Sequence, residues 1–136
     1  MIDTNLYIDW LNARQHEELL FQTDAIKHLS AVVILELYAG AFSPRERRIL
    51  GGVVAAFDRA HRILVPSGPI YEDAGHVLRT LQASRGSRLS SAPSLVNDVL
   101  IALSARSIGA AVLTSNARDF EAFRAIRPFK LDVVPA

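Results

Sequence analysis

The stretch from Ala31 to Gly40 reads AVVILELYAG, and Glu36 is its one charged residue. Helical spacing puts Val32, Val33 and Gly40 on the side of Glu36, with Ile34, Leu35 and Tyr38 over the rest. The pattern therefore predicts a helix from Ser30 to about Phe42 that is buried all round. An unpaired carboxylate there costs on the order of several kcal/mol in desolvation, so the charge needs an arginine partner or a cation.

The surrounding chain sets what can supply that compensation. It has 136 residues, half of them apolar and 21% charged, which predicts one folded domain over residues 1–136. Cysteine is absent, which excludes disulfides and thiolate metal sites, and the four histidines lack zinc-ligand spacing. His16-Glu17-Glu18 begins like HExxH but has Leu20 at the second histidine position, so it reads as surface. No basic leader precedes an apolar run and Glu36 interrupts the longest apolar stretch, so the expectation is a cytoplasmic protein with no membrane partner. A net charge of +1 decides nothing about nucleic acid.

Outward from the opening stretch, strands and helices alternate. Met1 and Ile2 read as the stub of a strand, and Asp3-Thr4-Asn5 offers caps for a helix through Leu11. Ala25 to Leu29 reads as a second short strand. Ser43-Pro44-Arg45-Glu46 is a capping box that opens a helix to about His61. Ile63 to Val65 follows as a strand, and Pro69 begins a helix whose positive end Glu72 and Asp73 are placed to cap. RGSRLSSAP, from Arg85 to Pro93, is a surface loop before an apolar helix from Leu95 to Ile108 that Gly109 closes. Ala111 to Thr114 is a strand, Arg118 to Phe123 a short helix and Leu131 to Val134 a last strand. This order predicts an α/β fold with a parallel sheet, whose sites form at the carboxyl edge of the strands. Asp3, Glu36, Asn116 and Asp119 all follow strand ends and can meet there. Asp98 is a further acid on an apolar face, shared with Leu95, Ile101 and Ala102.

Inward acids from distant segments do not ionise side by side without a cation, and oxygen donors suit Mg²⁺ or Mn²⁺. Each residue also has a structural reading: Asp3 as a helix cap, Asp98 and Asp119 as acids favoured by a helix dipole, Glu36 as the partner of an arginine.

MIDTN, SAVVILELYAG, NDVLIALSARSIGA and VLTSNARDF, in this order and spacing, resemble PIN-domain ribonucleases, specifically the VapC-type toxins of bacterial toxin–antitoxin pairs. The resemblance covers nearly the whole chain. It implies a three-layer α/β/α fold around a central, mostly parallel sheet of four to five short strands. The implied activity is a Mg²⁺- or Mn²⁺-dependent endoribonuclease that leaves 5′-phosphate and 3′-hydroxyl ends and blocks translation by cutting tRNA or rRNA. By motif, Asp3, Glu36 and Asp98 match three acids of the family site. Asn116 falls where many PIN domains carry aspartate, but Asp119 is the acid VapC-like members offer, and it is taken as the fourth. Thr4, Asn5 and Thr114 match small polar positions around such sites. Arg118 is the best placed phosphate contact; Arg45, Arg47, Arg48, Arg85 and Arg88 are flanking cations that fit a solvated face equally well. The family also implies a homodimer and a VapB-like antitoxin, for which the apolar GGVVAAF from Gly51 to Phe57 offers a surface that core packing explains as well.

One departure is visible. Family members usually carry three or four apolar residues ahead of this aspartate, whereas Met1 and Ile2 alone precede Asp3 here, so a very short first strand with less core beside Asp3 is expected. The alternative reading is a catalytically silent PIN-like module that binds RNA or protein. A haloacid-dehalogenase-type phosphatase would need aspartate at position 5, where this chain has Asn5. A receiver-like domain would need a late lysine after a suitable strand, which Lys130 does not provide.

Overall fold

A carboxylate starts the first helix. The Asp3 side chain accepts the Thr4 backbone N–H at 2.8 Å from an extended backbone, so α1 runs from Thr4 to Ala13. It ends where Arg14 turns left-handed and donates its N–H to the Trp10 carbonyl. The computed structural model describes residues 1–22, 25–85 and 94–135. They fall into two compact units, Met1–Val65 and Pro66–Ala136.

In the first unit α1 is followed by α2 (Glu17–Phe21), β1 (Leu29–Ser30), α3 (Ala31–Ala39), α4 (Pro44–Arg59) and β2 (Ile63–Leu64). β1 and β2 pair in parallel, Leu29 beside Ile63 and Ser30 beside Leu64. Ser30 also caps α3, accepting the Val32 N–H at 3.1 Å, so strand and helix abut without a loop. α3 packs on α1, α4 and β1. Leu6, Leu29, Val33 and Leu50 are essentially inaccessible, and Trp10 meets Phe21 edge to face at 4.8 Å.

The second unit holds α5 (Gly68–Arg85), α6 (Ser94–Ser107), β3 (Ala111–Thr114), α7 (Ala117–Ile126) and β4 (Lys130–Val133). β3 and β4 pair in parallel from Ala111 beside Lys130 to Thr114 beside Val133. The apolar α6 packs against α5, α7 and β3, with Val99, Ile101, Ala102 and Ala105 fully buried. Gly109 closes α6 with φ +67°, a conformation that L side chains rarely adopt. Phe120 is fully buried and meets Phe123 edge to face at 5.2 Å.

The α/β class and the parallel pairing agree with the sequence reading, and several details differ. Among the described residues the expected central sheet of four to five strands is seen as two parallel pairs, one in each unit. Ile2 is a single bridge residue. The strand expected over Ala25 to Leu29 is Leu29–Ser30, because the cap of α3 coincides with its end. α2 lies in the stretch read only as polar. α7 is longer than the expected Arg118 to Phe123, starting one residue earlier after the Asn116 cap and running on to Ile126. α3 is not buried all round: packing covers one side and leaves Leu35 63% and Tyr38 39% exposed. Asp73 does not cap α5 but pairs with Arg127, whose Nε and Nη2 both donate to its Oδ1, at 3.1 and 2.9 Å. Arg85 ends α5, and the remainder of the expected loop to Pro93 lies outside the described residues. The His16 segment does lie near the surface, with His16 Nε2 3.2 Å from Asp9.

Replacing Phe120 with alanine removes a fully buried ring and one half of an aromatic pair. A loss of about 3–5 kcal/mol of folding stability is expected in urea denaturation; a loss below about 1 kcal/mol would contradict this view of the core.

Candidate active site

Asp3 is a carboxylate with only 3% of its surface exposed, placed at the positive end of α1. The Thr4 N–H and the positive end of the helix dipole are both complementary to a carboxylate there. Thr4, itself buried, donates its hydroxyl to Glu36 Oε1 at 2.6 Å, which ties the first residue of α1 to the middle of α3. The half-buried Glu36 is thus held by a threonine hydroxyl rather than the arginine that one sequence reading allowed. Asn5, the next residue, has a buried Oδ1 with no hydrogen-bond partner among the described residues. Two acids and an unsatisfied acceptor therefore share the start of α1 and the face of α3 beside it.

Burial also acts on nearby bases and on a phenol. The Met1 amine is held below its usual range by burial, with Lys27 adding repulsion. His28 is lowered by burial, then by the chain amine and Arg62. Burial pushes the Tyr7 hydroxyl well above the usual phenol range, so it stays protonated.

In the second unit the C-terminal end of β3 builds a complementary set. The Thr114 side chain is fully buried, and its Oγ1 accepts the Asn116 N–H at 3.0 Å. Asn116 caps α7 by accepting the Asp119 N–H, and its Nδ2 donates to Asp119 Oδ2 at 3.1 Å. The two candidates for the fourth acidic position are therefore bonded to each other, with Asn116 orienting Asp119. Asp98 is half-buried on α6, which packs on both β3 and α7. Arg118, in the first turn of α7, is exposed.

The flanking cations are at the surface where the structure describes them. Arg45, Arg47 and Arg48 are exposed at the start of α4, with Arg47 Nη1 donating to the Ala41 carbonyl at 3.0 Å. The Arg85 side chain and Arg88 lie outside the described residues.

Among the described residues no three Asp, Glu or His side chains stand together as a group able to hold a metal ion. The donor chemistry at the start of α1 still fits a hard cation, because Asp3, Thr4, Asn5 and Glu36 all present oxygen. The unsatisfied Asn5 Oδ1 is an acceptor that a metal-bound water would fill.

The family model of the PIN domain matches residues 1–126. The chain belongs to the PIN-domain family. No curated protein sequence matches it. Among solved structures, this PIN domain is similar to a chain of the DNA-bound VapBC complex from Salmonella typhimurium, with 26% identity, a TM-score of 0.70 and coverage of 98% of this chain and 96% of that one. It is also similar to a chain of VapBC-1 from nontypeable Haemophilus influenzae at 25% identity, TM-score 0.67 and coverage of 98% and 96%. A chain of the FitAcB structure from Neisseria gonorrhoeae shares the fold at 20% identity and TM-score 0.67, covering 96% of this chain and 94% of that one. The resemblance to VapC-type PIN domains is thereby borne out.

Two features were missed in the sequence reading. The Thr4 to Glu36 bond joins residues 32 apart in sequence, and no local pattern signals it. The Asn116 to Asp119 cap could have been found from its spacing, which is that of a capping box with an amide in place of the hydroxyl.

If the Thr4 hydroxyl holds Glu36, the two side chains are energetically coupled. A double-mutant cycle with Thr4→Val and Glu36→Gln, read by urea denaturation, is expected to give a coupling of about 1–2 kcal/mol. Strictly additive losses would show that the bond contributes nothing.

Proposed function

We propose that this PIN domain is a metal-dependent endoribonuclease, the toxin of a toxin–antitoxin pair, acting in the cytoplasm on tRNA or rRNA to block translation. The observation that carries the reading is the buried Asp3 carboxylate joined through Thr4 to Glu36, which brings two acids with hard oxygen donors to the start of α1. Asp3 and Asp98 would hold the principal ion, directly or through water, with Glu36 and Asp119 completing the set. A bound Mg²⁺ or Mn²⁺ supplies Lewis acidity at the scissile phosphate and lowers the pKa of a water ligand.

The chain's own residues do the positioning. Thr4 fixes the Glu36 carboxylate, Asn116 fixes Asp119, and Thr114 fixes the Asn116 backbone. The buried Asn5 Oδ1, which has no partner among the described residues, would accept from a water held beside Asp3. Arg118, exposed one residue from Asp119, takes a flanking phosphate, with Arg45 and Arg48 further along the strand.

The neighbouring VapBC complexes support a VapB-like antitoxin as partner. An apolar groove of about 490 Å³ in the first unit, lined by Leu20, Phe21 and Ile26 and by Val53 and Phe57 of α4, suits an amphipathic helix of such a partner. The chain is further proposed to form a homodimer, and the exposed Leu35, Tyr38 and Phe42 are apolar surface available to it.

Incubation of total bacterial RNA with the purified protein tests the reading. Cleavage to 5′-phosphate ends is expected with Mg²⁺ or Mn²⁺, abolished by EDTA and reduced on the order of 10²-fold or more in Asp98→Asn. No cleavage with either metal would overturn it and leave a silent RNA- or protein-binding module.

A further inference from the structure

A cavity of about 150 Å³ opens beside Glu36, walled by the apolar side chains of Ile8, Leu11 and Leu37 and bearing Asn12 and Glu46 as its other polar groups. Glu46 comes from the Ser43-Pro44-Arg45-Glu46 motif, in which its carboxylate is expected to bond back to the Ser43 N–H. Only half of that capping box forms: Ser43 Oγ accepts the Glu46 N–H at 3.1 Å, and no return bond is made. Among the described residues neither the Glu46 carboxylate nor the Asn12 side-chain amide has a hydrogen-bond or ion-pair partner. The helix start is satisfied without the Glu46 side chain, which is left to the cavity.

We propose that this cavity receives the base of the RNA nucleotide next to the scissile phosphate and selects guanine, with Glu46 as the specificity-determining residue. The inference rests on the ribonuclease reading, which places the reacting phosphate at Glu36 and hence a flanking base within reach of the cavity. Ile8, Leu11 and Leu37 give a planar base apolar surface to pack against. A carboxylate offers only acceptors, so it matches an edge with two adjacent N–H donors. Guanine presents that edge through N1–H and N2–H. Adenine and cytosine place a ring nitrogen acceptor against the carboxylate, and uracil places carbonyls on both sides of its single N–H. The Asn12 amide can donate to guanine O6.

The test is fluorescence anisotropy with the full chain and labelled single-stranded oligouridylates carrying one central guanine, inosine, adenine or cytosine, with Ca²⁺ in place of Mg²⁺. The guanine RNA is expected to bind on the order of tenfold more tightly than the inosine RNA, which lacks N2–H. Glu46→Ala should level the four RNAs, while Glu46→Gln, which keeps the side-chain shape, should lose most of the preference with circular dichroism unchanged. Equal affinities in the wild type, or a guanine preference that survives both variants, would overturn the proposal. So would Glu46-dependent capture of an arginine-bearing peptide without any base preference, which would assign the cavity to a protein's basic side chain. The total-RNA cleavage assay reports the nuclease reading separately, because base preference in binding does not require turnover.

Discussion

The hydrogen bond from Thr4 to Glu36 is the constraint on which the first half of the site depends. It is a charge-assisted O–H to carboxylate bond at 2.6 Å between elements that sequence keeps 32 residues apart. Because Thr4 is also the first residue of α1, the bond fixes α3 relative to the helix start that Asp3 caps. Asp3 can be buried because the N-terminus of α1 supplies an N–H and a favourable dipole. The same geometry leaves the Asn5 acceptor buried and unsatisfied, which ordinary packing does not tolerate without a reason.

The second unit uses a different device for the same end. A short parallel strand delivers Thr114 to its carboxyl end, and Asn116 turns the chain into α7 while gripping Asp119. α6 carries Asp98 half-buried, directly ahead of the buried run from Val99 to Ala105. The PIN-domain family match runs through both units, over residues 1–126.

The sequence was most informative where a local rule acts alone. Caps at Asp3, Ser43 and Gly109 and the apolar run of α6 placed helix ends within a few residues. It was least informative where tertiary packing decides. α3 has apolar residues all round, yet the structure covers one side and exposes Leu35 and Tyr38, a distinction that composition does not carry. Asp73 looked like a helix-dipole acid because its bidentate partner Arg127 lies 54 residues away. The candidate acids were legible as misplaced charges. Their hydrogen-bonding partners were not, and Glu46 was hidden because a capping box accounts for it completely on paper.

Metal binding by the proposed acids, the buried Asp3 first among them, is the central claim, and calorimetric titration of Mn²⁺ into the full chain tests it without needing any substrate. Saturable binding is expected in the wild type and its loss in Asp3→Asn, with the helical circular dichroism signal retained. Absence of binding in the wild type, or undiminished affinity in the variant, would show that the buried carboxylate serves the fold and not a cation.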